Sequence, residues 1–296
     1  MEITSALLLV IGSSFGWAAL DLSRKVLADR MRPVPLLFLM TSFSTPIFVL
    51  WLATTGASRP WIHDAGYWAP ALVSVALNVV ANLLYLRAVT VSPFSQMVPL
   101  LAMTPMFAAL AAMPLLGEIP GPRQWLGIAM VTFGAFALQV PSAGRSGGLI
   151  GWLRAFMAEP GAPMMTAVAL LWALATALDK AAIAHAEGLF HGVFLNGLIA
   201  LSLAPWLLAR GETRELRGFA RVALPLAGAL VVGVLALGLQ LKALGELPVS
   251  LVETLKRGLG CLLALAVGRV AFRERVTAAK VAAVTGMICG VALILI

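Results

Sequence analysis

Residues 248–260 read Pro-Val-Ser-Leu-Val-Glu-Thr-Leu-Lys-Arg-Gly-Leu-Gly and place two adjacent cations inside an apolar run that continues to Val267. If this run spans a bilayer, Lys256 and Arg257 lie near the middle of the membrane, at about 1.5 Å of rise per residue. Each cation at that depth costs roughly 2.5–3.5 kcal/mol on insertion scales. The stretch therefore requires a partner for its charges, either elsewhere in the chain or in a bound molecule.

The composition of the chain indicates an integral membrane protein. Of its 296 residues, 61% are hydrophobic and 11% are charged, whereas ordinary soluble domains are about one quarter charged. The net charge of +8 does not indicate a nucleic-acid partner, because the basic residues lie mostly in short connections, where they report orientation. No disulfide framework is expected, and no cluster of His, Cys and carboxylates has the spacing of a metal or cofactor site.

Ten apolar runs have the length of a membrane-spanning helix, and none shows the alternation of a barrel strand. The gaps between them are too short to hold a soluble domain. We therefore predict an all-α integral membrane protein with ten transmembrane helices. The predicted spans are 3–22, 34–53, 67–89, 94–116, 123–140, 162–183, 189–208, 221–243, 247–270 and 277–296.

The second half of the chain repeats the first at an offset of 155–158 residues. The tetrapeptide Ala-Ala-Leu-Asp at 18–21 returns as Thr-Ala-Leu-Asp at 176–179, and Pro-Phe-Ser at 93–95 returns as Pro-Val-Ser at 248–250. We predict two five-helix repeats, 1–140 and 162–296, joined by a linker at 141–161. Because each repeat has an odd number of spans, the two copies must lie inverted in the membrane. Inverted repeats around a midplane site are typical of secondary transporters.

The Lys and Arg residues predict the orientation of the chain. Most of them lie in alternate connections, beginning with Arg24, Lys25, Arg30 and Arg32 after the first helix. Cytoplasmic loops carry an excess of Lys and Arg. We therefore expect an inner (plasma) membrane protein with both termini outside the cytoplasm.

The ninth helix carries the polar residues that suggest a ligand. Ser250, Glu253 and Arg257 are spaced three and four apart and share a helix face, and Lys256 is three residues from Glu253. One carboxylate against two cations leaves a local surplus of positive charge, which a phosphate, sulfate or carboxylate would complete. The alternative is an internal network of ion pairs in which Asp21 or Asp179 balances the charge.

The third helix presents Asn78, Asn82 and Tyr85 on one face. Their amides and phenol can hydrogen-bond the oxygens of a sugar or a head group, or can join neighbouring helices. Together with Lys256, Arg257, Glu253 and Ser250, they form the predicted substrate site.

Two further acids, Asp21 and Asp179, occur at matching positions near the ends of helices 1 and 6, where interfacial charges are expected. Asp21, Asp179 and Glu253 are the alternatives for proton coupling. The three histidines, His63, His185 and His191, are predicted to be solvated at the span edges. The GxxxG patterns of helices 1 and 10 indicate packing within a subunit or, alternatively, a homodimer.

The two-copy, ten-span pattern resembles the drug/metabolite transporter superfamily and its EamA-type branch. The resemblance is carried by 92–95, 104–107, 116–118, Gly127 and Gly134 in the first copy and by 248–250, 272–274 and Gly290 in the second. Thr-Leu-Lys-Arg at 254–257, followed by small residues, is similar to the ninth helix of the triose-phosphate translocators. That similarity implies that Lys256 and Arg257 bind a substrate phosphate.

These observations predict a secondary transporter that works by alternating access on a small anionic metabolite. No ATP-binding Gly-x-x-x-x-Gly-Lys-Ser/Thr stretch exists, so gradients or exchange must drive transport. The alternatives are an exporter of amino acids or neutral metabolites, a flippase for a lipid-linked phosphate, and, from another class, a membrane scaffold with a packed centre. An enzyme is not expected, because no His or paired carboxylate has catalytic spacing within a span.

Overall fold

The computed structural model describes residues 3–55, 61–137, 158–271 and 278–295, and these are almost entirely helical. Ten helical stretches follow one another along the chain. They are α1 (Ile3–Ala28), α2 (Pro33–Thr54), α3 (Trp68–Val91), α4 (94–116), α5 (Pro122–Ala137), α6 (Ala162–Ile183), α7 (Gly188–Ala209), α8 (Ala223–Leu244), α9 (Val249–Ala271) and α10 (Ala278–Leu295). Short helical turns at Ala65–Tyr67, Thr213–Leu216 and Arg217–Arg221 lie between them.

The apolar composition of these helices is that of a multi-pass membrane protein. Within the described ranges, six helices are long and apolar enough to cross a membrane by length and composition: α1, α2, α3, α6, α7 and α8. The helix α9 is as long as these, but it carries Glu253, Lys256 and Arg257. The predicted all-helical architecture is confirmed. The predicted linker at 141–161 and the end of the fifth predicted span lie largely outside the described residues.

The stretch α4 is interrupted near its middle. It consists of an α-turn (Phe94–Met97), a 3₁₀ segment (Val98–Met103) and an α-helix (Thr104–Leu116). Pro99 and Pro105 lack the backbone N–H that a continuous α-helix would use, which accounts for the break. The stretch ends at Gly117, whose φ of 69° is the left-handed conformation that favours glycine.

The helix contacts repeat when the two halves are exchanged. Helix α1 packs on α8 as α6 packs on α3, and α1 packs on α9 as α6 packs on α4. Three further pairs, α2 with α7, α4 with α9 and α5 with α10, join equivalent helices of the two halves. The packing therefore has the pseudo-two-fold symmetry that the sequence repeat predicted.

Small residues allow the closest of these contacts. A Cβ added to Gly127 of α5 would lie 2.4 Å from the carbonyl oxygen of Gly290 in α10. A Cβ added to Gly16 of α1 would lie 2.9 Å from the Cβ of Ala236 in α8. Gly16 and Gly290 therefore serve packing within the chain, as small residues do where membrane helices approach closely.

Polar contacts join connections at both ends of the bundle. At one end the α2–α3 connection meets the α6–α7 connection: the His63 N–H donates to the His185 carbonyl at 2.7 Å, and His185 Nδ1 lies 2.8 Å from Asp64. Hydrogen bonds from His185 and from the Gly66 N–H hold the pKa of Asp64 below its ordinary value. At the other end, Arg32 pairs with Glu215 across 2.8 Å and joins the α1–α2 and α7–α8 connections.

Candidate substrate cavity

A cavity of about 100 Å³ lies at the centre of the bundle, between the two halves. A water needs roughly 10–15 Å³ of such space, so the cavity has room for several waters or a small polar group. Seven helices contribute to its wall: α1, α2, α3, α6, α7, α8 and α9. Its polar lining consists of Trp17, Asp21, Arg24, Thr41, Ser44, Asn78, Asn82, Trp172, Thr176, Asp179, Asn196, Gln240, Lys256 and Arg257.

On one side of the cavity lies a group of five charged side chains, here called the cationic cluster: Asp21, Arg24, Glu253, Lys256 and Arg257. Lys256 is 8% exposed and forms an ion pair with Glu253, one turn earlier on α9. Its ammonium also donates to the Gln240 side-chain oxygen at 3.3 Å. Glu253 is fully buried and accepts a further hydrogen bond from Thr176 at 3.3 Å. Lys256 is therefore held by protein partners on α8 and α9.

Arg24 and Arg257 are held less closely than Lys256. Each has one Nη1 atom 3.9 Å from a carboxylate oxygen of Asp21, beyond hydrogen-bond distance. Asp21 therefore lies between two guanidinium groups, from helices α1 and α9, without a close pair to either. Asp21 is one of the two balancing charges that the sequence suggested.

Aromatic rings pack against these cations. The Arg24 guanidinium lies 5.6–5.8 Å from the ring centroids of Trp17, Tyr85 and Trp172. The Arg257 guanidinium lies 5.8 Å from the Trp172 ring, and the Lys256 ammonium lies 5.3 Å from the Trp17 ring. Such cation–π contacts offset part of the cost of burial while leaving N–H groups available.

Several atoms of the cationic cluster lack hydrogen-bond partners among the described residues. The donors are Arg24 Nη1, Arg257 Nε and the neighbouring Trp17 Nε1, and the acceptors are Asp21 Oδ1 and Glu253 Oε2. Buried polar atoms are paired in the great majority of cases, so a concentration of unpaired ones calls for an explanation. The described cluster also contains three cations against two carboxylates, a surplus of one positive charge by simple count.

A second polar group, here called the Asp179 cluster, lies at another part of the cavity wall. Asp179 Oδ1 accepts a hydrogen bond from Ser74 of α3 and lies 3.0 Å from His191 Nε2 of α7. The other ring nitrogen of His191 is 3.1 Å from the Tyr67 hydroxyl. Asn78 donates to the Ser74 hydroxyl at 3.2 Å and extends the group into the cavity lining. His191 is fully buried, and Asp179 is 5% exposed.

The predicted site residues fall into two sets. Asn78, Asn82, Lys256 and Arg257 line the cavity, as do the two acids Asp21 and Asp179. Tyr85, Ser250 and Glu253 are buried but are not part of its wall.

Tyr85 and Glu253 contact other protein groups, and the backbone of Ser250 joins a hydrogen bond within α9. The Tyr85 hydroxyl lies 3.4 Å from the backbone oxygen of Asp21, and the Ser250 backbone oxygen accepts from Thr254. The Tyr85 ring lies 5.6 Å from the Arg24 guanidinium, and Glu253 forms an ion pair with Lys256.

Three sequence interpretations need correction. Asp21 and Asp179 are not interfacial charges at helix ends, because both are at least nine-tenths buried and line the cavity. Arg24 is not part of the α1–α2 connection, since α1 continues to Ala28 and buries it. His191 is not solvated, because Asp179 and Tyr67 enclose it.

Sequence reasoning also missed Trp17, Trp172, Thr176 and Gln240 as cavity residues. For Trp17, Trp172 and Thr176, the sequence repeat contains a pattern from which they could have been identified. Helix α1 reads Trp17-x₃-Asp21-x₂-Arg24, and α6 reads Trp172-x₃-Thr176-x₂-Asp179. Residues at i, i+4 and i+7 share a helix face, so each motif presents an aromatic ring and polar groups to one side.

Beside the cavity, an ion pair joins three helices. Lys180 of α6 lies 2.5 Å from Glu118, which follows α4, and also donates to the Leu247 carbonyl at 2.7 Å. The second carboxylate oxygen of Glu118 accepts from the Val249 N–H at the start of α9 at 2.8 Å. A carboxylate at a helix N-terminus satisfies a free N–H and complements the helix dipole. In the described part of the chain, no group of His, Cys, Asp and Glu could hold a metal ion.

The fold is that of a multi-pass membrane protein with a buried polar cavity at its centre. The model of the EamA-like transporter family matches residues 4–139 and 159–296. The chain therefore belongs to the EamA-like transporter family, within the drug/metabolite transporter superfamily, and the resemblance inferred from its motifs is confirmed. Members of this family are membrane transporters and not enzymes.

A solved structure supports the fold. A protein known from a crystal structure superposes with a TM-score of 0.71, covers 98% of this chain and 96% of its own, and is 18% identical. At that identity the likeness shows the fold alone. No curated protein matches the sequence. The similarity of α9 to the triose-phosphate translocators stays a prediction.

Proposed function

We propose that this protein is a secondary transporter of a small anionic metabolite that bears a phosphate or a carboxylate. Lys256 and Arg257 bind the anion from α9, and Arg24 binds it from α1. Asn78 and Asn82 contact the uncharged part of the substrate, while Glu253 and Tyr85 hold the cations in place from behind. The site lies in an inner-membrane protein with both termini outside the cytoplasm, acting as a monomer or a homodimer.

The unpaired N–H groups of the cationic cluster, which has one more cation than carboxylates, are the observation that carries this proposal. Arg24 and Arg257 each have an N–H group without a hydrogen-bond partner among the described residues, and Lys256 lines the cavity with them. A bound anion supplies the acceptors that these groups lack. At about 4 Å and an effective dielectric constant of about 20, a pair of unit charges attracts by roughly 4 kcal/mol, enough to offset much of the anion's desolvation.

Alternating access is supported by the symmetry of the packing. The cavity lies between two halves whose helix contacts are related by a pseudo-two-fold axis, and α4, which packs on α6 and α9, is interrupted near its middle. Rocking of such halves around a central site is the usual mechanism of transporters with internal repeats. The contacts at the two ends of the bundle, Asp64–His185 and Arg32–Glu215, are the ones that such a motion would make and break.

A second candidate is the transport of a zwitterion such as an amino acid. Asp21 Oδ1 and Glu253 Oε2 are acceptors without a hydrogen-bond partner among the described residues. An ammonium group would satisfy Asp21 while the carboxylate of the same molecule meets Arg24 and Arg257. This candidate differs from the first in requiring a donor on the substrate.

Thermal stabilisation of the purified protein tests the proposal. Phosphorylated, carboxylated, zwitterionic and neutral metabolites are compared on the parent protein, on Lys256→Gln and on Arg257→Gln. The matched control is Lys242→Gln, which removes an exposed lysine of α8 that packs over Trp51 of α2. We expect anions to stabilise the parent and the control, and to stabilise neither of the two cavity variants.

Other outcomes select among the alternatives. Stabilisation only by molecules that carry both an acid and an amine favours the zwitterion. Equal stabilisation of the parent and both cavity variants overturns the anion site. A protein that no metabolite stabilises would favour a scaffold.

A further inference from the structure

The Asp179 cluster can hold a proton in either of two states without moving its heavy atoms. His191 Nε2 faces Asp179, and its Nδ1 faces the Tyr67 hydroxyl. When the ring is neutral, the Tyr67 hydroxyl donates to Nδ1. When the ring is charged, Nδ1–H donates to the Tyr67 oxygen, which accepts after a rotation of its hydroxyl hydrogen. Histidine is the side chain whose charge ordinarily changes near neutral pH.

The titratable and charged groups around this cluster come from several helices. Tyr67 precedes α3, and Ser74 donates to Asp179 from α3 itself. On α6 the neighbouring Lys180 is engaged by Glu118, away from His191. Across the cavity stand Asp21 and Arg24 of α1 and the cations of α9, while α2 and α8 add only uncharged side chains to the cavity lining.

The Asp179 cluster is adjacent to the cationic cluster. Asp179 and Thr176 are three residues apart on α6 and share a face, with roughly 5–6 Å between their Cβ atoms. Thr176 donates to Glu253, which pairs with Lys256. A change of charge at His191 therefore changes the binding free energy of an anion in the cavity.

The net charge of the groups around the cavity depends on whether the His191 ring carries a second proton. The cations Arg24, Lys256 and Arg257 are balanced by the carboxylates Asp21, Glu253 and Asp179 when His191 is neutral. This count covers the described residues of the two clusters. Protonation of His191 raises the total to +1, which one negative charge on a substrate then neutralises.

We propose that His191 and Asp179 form a proton-binding site and that the proton held there accompanies the anion, so that the protein is an anion–proton symporter. This inference rests on the proposed function, because it requires that an anion binds in the cavity. The proton comes from solvent and no covalent bond is made or broken. Binding of the proton and of the anion must favour each other by the same factor.

The size of the effect follows from the distance between the two sites. Unit charges about 10 Å apart at an effective dielectric constant of about 20 attract strongly enough to change an affinity by roughly tenfold. The anion should therefore bind about tenfold more tightly with His191 charged than with His191 neutral.

The test measures sulfate affinity of the purified full-length protein at pH 5.5 and pH 8, since sulfate stays a dianion throughout. The variants are His191→Gln and, as a matched control, His185→Gln, whose ring pairs with Asp64 in a half-exposed connection. Because sulfate carries two negative charges, the attraction doubles, and we expect roughly hundredfold tighter binding at the lower pH in the parent and in the control. We expect no dependence on pH in His191→Gln. Tyr67→Phe, a milder change, should shift the pH midpoint while sulfate still binds.

A second readout does not depend on sulfate. The chain has three histidines, so histidine NMR with the same variants identifies the His191 signal and shows whether it titrates between pH 5 and 8. Sulfate binding that is equal at both pH values, or a His191 signal that does not titrate, overturns the symport and leaves the anion site intact. Absence of sulfate binding at both pH values, with His191 titrating, overturns the proposed function and the symport with it.

Discussion

The two polar clusters of the cavity differ in how completely their atoms are paired. In the Asp179 cluster, Ser74 and His191 both lie at hydrogen-bond distance from the Asp179 carboxylate, and the Tyr67 hydroxyl lies at hydrogen-bond distance from the other ring nitrogen of His191. In the cationic cluster, both guanidinium groups stand 3.9 Å from Asp21, and donors and acceptors are left over. Both clusters are buried to a similar degree, so burial does not explain the difference.

This difference separates a group whose polar atoms are paired from a group with unpaired donors and acceptors. A fully paired buried network is rigid and specifies one arrangement. A buried network with a surplus charge and free N–H groups is costly unless a molecule completes it. This difference supports the proposals that the cationic cluster binds the substrate and that the Asp179 cluster binds the proton.

The largest expected effect is the loss of Glu253, because Lys256 then becomes a buried cation without a carboxylate. Removing one partner of a buried pair costs about 3–5 kcal/mol. Glu253→Gln should lower the melting temperature by roughly ten degrees. A bound anion should restore part of the loss, and differential scanning fluorimetry with and without sulfate measures both changes. A Glu253→Gln protein as stable as the parent would show that Gln240 alone suffices for Lys256.

A smaller loss is expected from Ser74→Ala in the Asp179 cluster. The buried carboxylate loses one donor, which costs about 1–3 kcal/mol and lowers the melting temperature by a few degrees. The stabilisation by sulfate should stay that of the parent, because the cationic cluster is untouched. A variant that loses the sulfate effect would mean that the two clusters act as one site.

The substitution Arg24→Gln should lower the affinity for an anion strongly and lower the stability of the fold only slightly. Asp21 still has Arg257 as a neighbouring cation. The glutamine amide can still contact the rings of Trp17, Tyr85 and Trp172 that surround Arg24 in the parent. A hydrogen bond to a charged group contributes about 1.5–3 kcal/mol, so we expect anion affinity to fall by at least tenfold. The melting temperature without ligand should change little. Calorimetric titration with sulfate decides this, with Arg87→Gln on the exposed face of α3 as the control.

The smallest effect is expected outside both clusters, at Asp64. Because hydrogen bonds hold the pKa of Asp64 below its ordinary value, its ionised form stabilises the fold above about pH 4. That contribution disappears as the pH falls through the lowered pKa. Asp64→Asn should lower the melting temperature by a degree or two at pH 7, and the gap to the parent should close as the pH falls through the lowered pKa of Asp64. A gap that persists in acid would indicate lost packing instead of lost charge.

The sequence predicted the helices well because hydropathy and repetition are local properties. It also placed Glu253 and Lys256 together, since three residues along a helix bring side chains to one face. It offered Asp21 only as one of two alternative partners for the charges of α9, and it did not predict that Arg24 joins them, because these contacts depend on the packing of α1 against α9. His191 was missed for the same reason, since its partners come from α6 and from the turn before α3.

Crystals grown with selenate, a sulfate analogue that contains an anomalous scatterer, would show directly whether an anion binds in the cavity. We expect an anomalous peak in the cavity within hydrogen-bond distance of Arg257, with Arg24 or Lys256 as a second contact. The peak should be absent from Arg257→Gln crystals grown under the same conditions. A cavity without selenate in the parent, while Asp21 closes onto both guanidinium groups, would contradict an anionic substrate.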